Sequence, residues 1–281
     1  MTELARFVQA LAVRLDVNSN VILVCGAGGS SNVNLTPSTK LFIAVAGNIG
    51  TGKTTLTQML SQRFLWEPHF EAVVDNPYLK DFYADMSRWS FPLQIFFLNN
   101  RFKAHQAVTQ GERSSIQDRS IYEDANIFAR NLYESGQMEE RDYRNYLDLY
   151  RAMTQFLEPP HLVIYLRKSL PKLREQISRR GRDYERGIPD EYLLNLNRYY
   201  DDWMDRYDLS KKLVIESDVL DFVSSPEDFE SIAQRIISTL DQQDFFLPGQ
   251  RETTKASLGE ARYEQELLML QRPRGSTAQV S

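Results

Sequence analysis

Residues 41–60 read LFIAVAGNIGTGKTTLTQML. An apolar run, Leu41 to Ala46, enters a glycine-rich turn, and a Lys and two Thr open an amphipathic stretch. Gly47 to Thr54 fits G-x-x-x-x-G-K-[ST]. In that pattern glycines let the backbone turn tightly and aim several N–H groups at one anion. Lys53 would then reach the β/γ-phosphates of a nucleotide, and the Thr54 hydroxyl would bind Mg²⁺. The flanks agree: Leu41–Ala46 has the composition of a buried strand. Lys53 onward, with Leu56, Met59 and Leu60, has that of a helix whose N-terminus faces the loop. The alternative is a glycine-rich turn that binds nothing.

Moving outward, short β-branched runs recur between helical stretches. They are Glu71–Val74, Ser114–Gln117, His161–Leu166 and Lys212–Ile215. With the first strand they make five, and the alternation predicts an α/β protein: a parallel sheet covered by helices on both faces. Helices are expected over residues 88–110, 119–156, 170–180 and 189–208, with a last one opening at Pro226. Ligands should gather at the carboxyl ends of the strands. A second strand-and-glycine pattern, Val21 to Ser31, lacks the Lys and reads as a structural extension. Residues 1–40 read as an extension and linker, residues 41–248 as one domain, and residues 249–281 as a polar tail expected to be mobile or to pack only lightly.

The chain has 281 residues, 42% hydrophobic and 25% charged, with a net charge of −5. No broad basic surface follows, so nucleic-acid and membrane-surface binding are poor expectations. The single Cys rules out an internal disulfide framework and fits a reducing, cytoplasmic setting. An apolar stripe of Leu4, Phe7, Val8, Leu11 and Leu15 predicts a short packing helix rather than a targeting peptide.

Charged residues mark the expected strand ends. Asp118 could hold Mg²⁺, Arg119 could stabilise a transferring phosphoryl group, and Glu71 could take a proton from an attacking hydroxyl. Each also has a plain alternative as a solvated carboxylate or a surface ion pair. Arg174, Arg179, Arg180 and Arg182 cluster where a helix runs into Gly181. They read either as cations at a helix C-terminus or as a lid closing over phosphates. Gln94, set between Leu93 and Ile95, is anomalous in an apolar helix, because a buried amide needs partners.

Together these stretches resemble the deoxyribonucleoside kinases. The resemblance spans roughly residues 41–240. It rests on GNIGTGKTT, FEAVVDNPYLKDFY, RWSFPLQIFFLNNR, DRSIYED and the segment from RRGRDYE through IPDEYL. It implies a P-loop NTPase-type fold with an Arg-rich lid near residues 179–187, and phosphoryl transfer from ATP to a deoxynucleoside 5′-hydroxyl. The loop from Gly47 through Asn48, Ile49, Gly50, Thr51, Gly52, Lys53 and Thr54 to Thr55 would bind ATP, helped by Arg180 and Arg182. Catalytic roles would fall to Glu71 as general base, Arg119 and Lys53, and Mg²⁺ would sit at Thr54 and Asp118. Tyr83 and Glu185 would bind the sugar 3′-hydroxyl. Gln94, Arg101 and Asp124 would read the base, between Trp89 and Phe128. The resemblance also implies a homodimer. Two departures stand out: Ala72 replaces the family's Pro, and Gln176 replaces a lid Arg of some members, so the lid is expected to lean on Arg179.

Side-chain chemistry narrows the acceptor. Gln94 suits adenine or cytosine, Asp124 favours an exocyclic amine, and Arg101 donates to ring nitrogens or carbonyls. Deoxyadenosine, deoxyguanosine and deoxycytidine are therefore expected ahead of thymidine. Rival readings are a nucleoside monophosphate kinase, which needs no general base, a non-catalytic homologue, and a P-loop switch acting on macromolecules.

Overall fold

The computed structural model describes residues 40–71 and 76–241. Five parallel strands, β1 (Phe42–Gly47), β2 (Glu67–His69), β3 (Ser115–Asp118), β4 (Leu162–Arg167) and β5 (Lys211–Glu216), form one sheet in the order β2-β3-β1-β4-β5. All six residues of β1 are buried, as expected for a central strand covered on both faces. Successive side chains point to opposite faces, which divides the core in two. Ile43 and Val45 pack with Leu56, Leu60, Ile232 and Ile236 on one side. Ala44 and Ala46 pack with Tyr165, Tyr200 and Phe128 on the other.

The helices are α1 (Lys53–Phe64), α2 (Leu79–Ala84), α3 (Met86–Gln110), α4 (Ile121–Glu123), α5 (Arg130–Glu134), α6 (Glu140–Thr154), α7 (Leu170–Arg180), α8 (Asp190–Arg206) and α9 (Pro226–Asp241). A π-helical segment, Asp124–Ala129, joins α4 to α5 without a break. α3 starts where Asp85 accepts the Arg88 N–H at 3.1 Å, an ordinary side-chain cap.

Two expectations need correcting. The second strand among the described residues is Glu67–His69, and Glu71, where a strand was expected to begin, follows its carboxyl end outside any strand; the rest of that expected strand, residues 72–74, lies outside the described residues, as do the N-terminal stripe, the Val21–Ser31 pattern and the 249–281 tail. The strand pairs with β3 alone and contains Pro68. A proline lacks an N–H to donate, and a sheet edge tolerates that. The helix expected over 119–156 is divided. Ser135 and Gly136 end α5, with Gly136 in the left-handed region at φ 74, and α6 begins at Glu140.

Registry fixes where the site forms. Val45 of β1 sits opposite Asp118 of β3, so the end of β3 lies beside the entrance to the phosphate loop. β2 ends one strand further along, where His69 pairs with Gln117.

Candidate active site

The phosphate loop is held from within. Gly50 and Gly52 have φ of 84 and 95, values that L side chains rarely adopt. A Cβ on Gly50 would lie 2.9 Å from Ile177 of α7, so the loop and the helix before the lid are in close contact. Asn48 is fully buried. Its amide donates to Leu193 O at 2.9 Å and to Asn197 Oδ1 at 2.7 Å, tying the loop to α8. Lys53 Nζ donates to Asn48 O at 2.8 Å. Burial, reinforced by the charge of Arg119, lowers the Lys53 ammonium to about 7. A polyphosphate would reverse that, because an adjacent anion favours the charged amine.

Beside the loop, Thr54 Oγ1 donates to Asp118 Oδ2 at 2.5 Å. The other oxygen of the buried Asp118 has no hydrogen-bond partner. A hydroxyl and a carboxylate next to a polyphosphate site make the oxygen donor set that Mg²⁺ takes, with phosphates and waters completing its shell.

A cavity of about 290 Å³ opens from the loop toward α3. Its lining includes Ile49, Gly50, Lys53 and Thr54 from the loop side, and Glu71, Tyr83, Gln94, Arg101, Asp118, Arg119, Asp124, Phe128, Arg180, Arg182 and Glu185. Arg101 is the centre of its acceptor end. It donates to Glu71 Oε1 at 2.6 Å and to Asp124 Oδ1 at 2.7 Å, and the second Asp124 oxygen, which accepts no hydrogen bond, lies within ion-pair distance at 2.6 Å. The Arg119 guanidinium stands 3.9 Å from the second Glu71 oxygen and 4.2 Å over the Phe128 ring. Burial alone would raise the Glu71 carboxyl. Arg119, Arg101 and Lys53 outweigh it and hold the group at about 2. Asp124 goes the other way: burial raises it to about 7 against the pull of Arg101. Both arginines stay charged, their values raised by the anions around them against the opposing effect of burial.

The π-helical segment is what brings Asp124 and Phe128 to this wall. It changes the hydrogen-bond register by one residue, a feature frequent at functional sites. Gln94 is buried, and its carbonyl oxygen has no partner. A buried amide oxygen without a partner is costly, so the cavity is where its partner must come from.

At the rim, Glu185 is clasped by Arg180 at 2.5 and 3.0 Å and by Arg182 at 3.3 Å. Tyr83 stacks on the neighbouring Tyr184 with ring centroids 5.8 Å apart. Burial raises the Tyr83 phenol well above its usual value, and Tyr192 and Glu185 add to the effect. Tyr83 and Glu185, paired in the sequence reading, are thus brought together.

Some expected residues fall elsewhere. Trp89 is outside the cavity lining, packed 5.9 Å from Tyr78 and beneath Arg88. Thr55, unlike Thr54 beside it, is not part of the cavity lining. Arg179 lies outside the cavity lining, whereas Arg180 and Arg182 are part of it. Conversely, Phe70, Leu79, Phe82, Leu93 and Tyr192 also line the cavity without having been singled out. Glu123, fully buried under the phosphate loop, was also missed. Ser120-x-x-Glu123 is a capping-box pattern, and that local signal would have found it.

A phosphate loop joined to a deep cavity with a carboxylate between two arginines defines a P-loop phosphotransferase acting on a small acceptor. The model of the deoxynucleoside kinase family matches residues 43–241, and the chain belongs to that family. Its reaction is ATP-dependent phosphorylation of a deoxynucleoside at the 5′-hydroxyl. The chain is 36% identical over 200 residues to the deoxyadenosine/deoxycytidine kinase of Bacillus subtilis, covering 70% of this chain and 92% of that one. It is 41% identical over 195 residues to the deoxyadenosine kinase of Dictyostelium discoideum, covering 69% and 77%. A structure of deoxyadenosine kinase from M. mycoides, with the products dCMP and a flexible dCDP bound, aligns with a TM-score of 0.64. That match has 31% identity and covers 70% of this chain and all of that one.

Proposed function

We propose that this kinase acts on deoxynucleosides whose bases carry an exocyclic amine: deoxyadenosine, deoxyguanosine and deoxycytidine. The observation that carries the reading is the Glu71–Arg101–Asp124 chain lying in one cavity with Gln94, whose buried carbonyl oxygen has no partner. Gln94 and Asp124 would take the base edge, with Phe128 against its face. Tyr83 and Glu185 would take the 3′-hydroxyl. A thymine carbonyl would meet acceptors where an amine is wanted, and unpaired buried polar groups make such discrimination large. The relatives named for deoxyadenosine, deoxycytidine and deoxyguanosine support this preference.

Glu71 would accept the 5′-hydroxyl proton. A carboxylate held at about 2 is a weak base, which suits transfer in which the proton moves late and positioning does most of the work. Arg119 would steady Glu71 and the developing phosphoryl charge. Lys53 and the loop amides would hold the phosphates, and Arg180 and Arg182 would exchange Glu185 for them. Thr54 and Asp118 would hold Mg²⁺, which supplies neutralisation of phosphate charge.

A cytoplasmic homodimer completes the proposal. The single Cys supports the location, and Leu149 on α6 and Phe156 after it, 41% and 75% exposed, support the assembly. Sedimentation as a monomer at micromolar concentration, or recovery of the protein in an oxidising compartment, would overturn the respective part.

The test is ADP production from Mg·ATP with each of the four deoxynucleosides and with dTMP, for the wild type and Glu71→Gln. Turnover of the three amino-bearing acceptors, lost in the variant, is expected. Thymidine as the best acceptor would overturn the pocket reading. Turnover of dTMP alone would make the protein a nucleotide kinase, a reading that Glu71 and Glu185 oppose because they would face a second phosphate. Binding of ATP with no turnover would leave a structural homologue.

A further inference from the structure

Arg119 carries a backbone strain that its neighbours must hold. Its φ is 69, in the left-handed region, which an L residue with a long side chain enters only against a steric cost. The turn is pinned on one side by the Arg119 N–H, which donates to Val45 O at 2.9 Å. The other side is pinned by Glu123. Ser120 N–H donates to Glu123 Oε1 at 2.7 Å, and the Ser120 hydroxyl to the same oxygen at 3.3 Å.

The second carboxylate oxygen reaches two other elements. It accepts the Tyr200 hydroxyl of α8 at 2.6 Å and the Gly47 N–H at the mouth of the phosphate loop at 3.4 Å. Glu123 is fully buried, and a buried carboxylate is retained only where donors satisfy it. A capping box works equally well with Gln, but this one does not have that freedom. A carboxamide would accept from Ser120 with its oxygen and then present its N–H₂ to Gly47, a backbone donor that cannot reverse. Four donors converging on two oxygens call for a group that accepts on both.

We propose that Glu123 is a positioning residue for Arg119. It clamps the left-handed turn and ties it to the phosphate loop through Gly47 and to α8 through Tyr200. The guanidinium is thereby kept between Glu71 and the loop. The proposal rests on the reading of Arg119 given above.

The test is a double-mutant cycle on the full-length protein with deoxyadenosine and Mg·ATP, followed with radiolabelled acceptor so that slow turnover is measurable. Glu123→Gln is expected to lower kcat roughly 10- to 100-fold, the scale of a misplaced catalytic group, with KM for both substrates within about twofold of wild type. In an Arg119→Ala background the same substitution is expected to cost less than about twofold, because the group it positions is gone. Equal losses in both backgrounds would overturn the positioning role and leave Glu123 as scaffold. Wild-type turnover in Arg119→Ala would overturn the reading of Arg119 itself, and this proposal with it. Should Glu123→Gln fail to fold, Tyr200→Phe removes one donor and leaves the charge in place. It should lower kcat several-fold in the wild-type background and not in Arg119→Ala.

Discussion

Two arginine–carboxylate clusters line the cavity, and they are built in opposite proportions. In the interior, Arg101 is shared by Glu71 and Asp124, with side-chain exposures of 5%, 16% and 2%. At the rim, Glu185, 4% exposed, is shared by Arg180 and Arg182, each 35% exposed. The interior has more acceptors than Arg101 alone can neutralise, so Arg119 must lean in from 3.9 Å. The rim has a surplus of cation, which is what incoming phosphates need. The interior cluster fixes a geometry, because each charge there would be costly without the others. The rim cluster can exchange partners, because water already reaches its arginines.

That contrast breaks first at Glu71. Glu71→Gln should lower kcat by about 10²- to 10⁴-fold, the usual contribution of a positioned base, with ATP affinity retained; a smaller loss in steady-state turnover would argue that Glu71 only orients Arg101. Next is Arg101→Met. It leaves Asp124 buried without its cation, a defect that typically costs about 3–5 kcal/mol, and urea denaturation should read it directly. Asp124→Asn in the same chain should restore part of the loss, since the two residues share one interaction. Full stability in Arg101→Met alone would mean that the interior pairs are as replaceable as those at the rim.

The pH dependence separates the carboxylates by sign. Glu71 titrates near 2 in the folded chain and near 4.5 when free. Its contribution is therefore complete above pH 4.5 and is lost as pH falls toward 2. The size is about 3 kcal/mol as an upper bound. Asp124 is raised from 3.8 to about 7, so its effect runs the other way and stability declines as pH rises through that interval. Glu71→Gln should flatten the acid limb below pH 4.5, and Asp124→Asn should remove the slope between about 4 and 7. Unchanged slopes in denaturant titrations across pH would contradict the charge balance assigned to the interior.

The two clusters were also unequally legible in the sequence. The phosphate loop is a local backbone device, so glycine spacing, Lys53 and Thr54 declare it. Gln94 announced itself by being polar among apolar neighbours. The basic run ending at Arg182 was visible, but not that Glu185 holds two of its members, because that contact is a matter of side-chain geometry. Asp124 and Phe128 reach the wall through a π-helical register that composition does not encode. β2 escaped for a simpler reason: three residues, one of them Pro68, carry no period to read. Trp89 was placed in the pocket by resemblance, yet the structure turns it toward Tyr78.

The smallest effects belong to the rim, and they sharpen the comparison most. Arg180 makes two contacts with Glu185, and Arg182 makes one longer one. Pairs whose cations are reached by water are worth about 1 kcal/mol or less, and both arginines are a third exposed although Glu185 is buried. Arg180→Ala should therefore leave the urea midpoint nearly unchanged while raising KM for ATP roughly tenfold, the scale of one lost charge-assisted contact to phosphate. Arg182→Ala should do the same more weakly. In both variants Glu185 keeps one arginine, so affinity for the deoxynucleoside should hold within about twofold if that carboxylate serves the sugar. Raised salt should narrow the gap between wild type and variants, because screening acts on exposed charges first. A large stability loss in either variant would show that the rim is as rigid as the interior, and that Glu185 is a fixed strut rather than a partner given up when phosphates arrive.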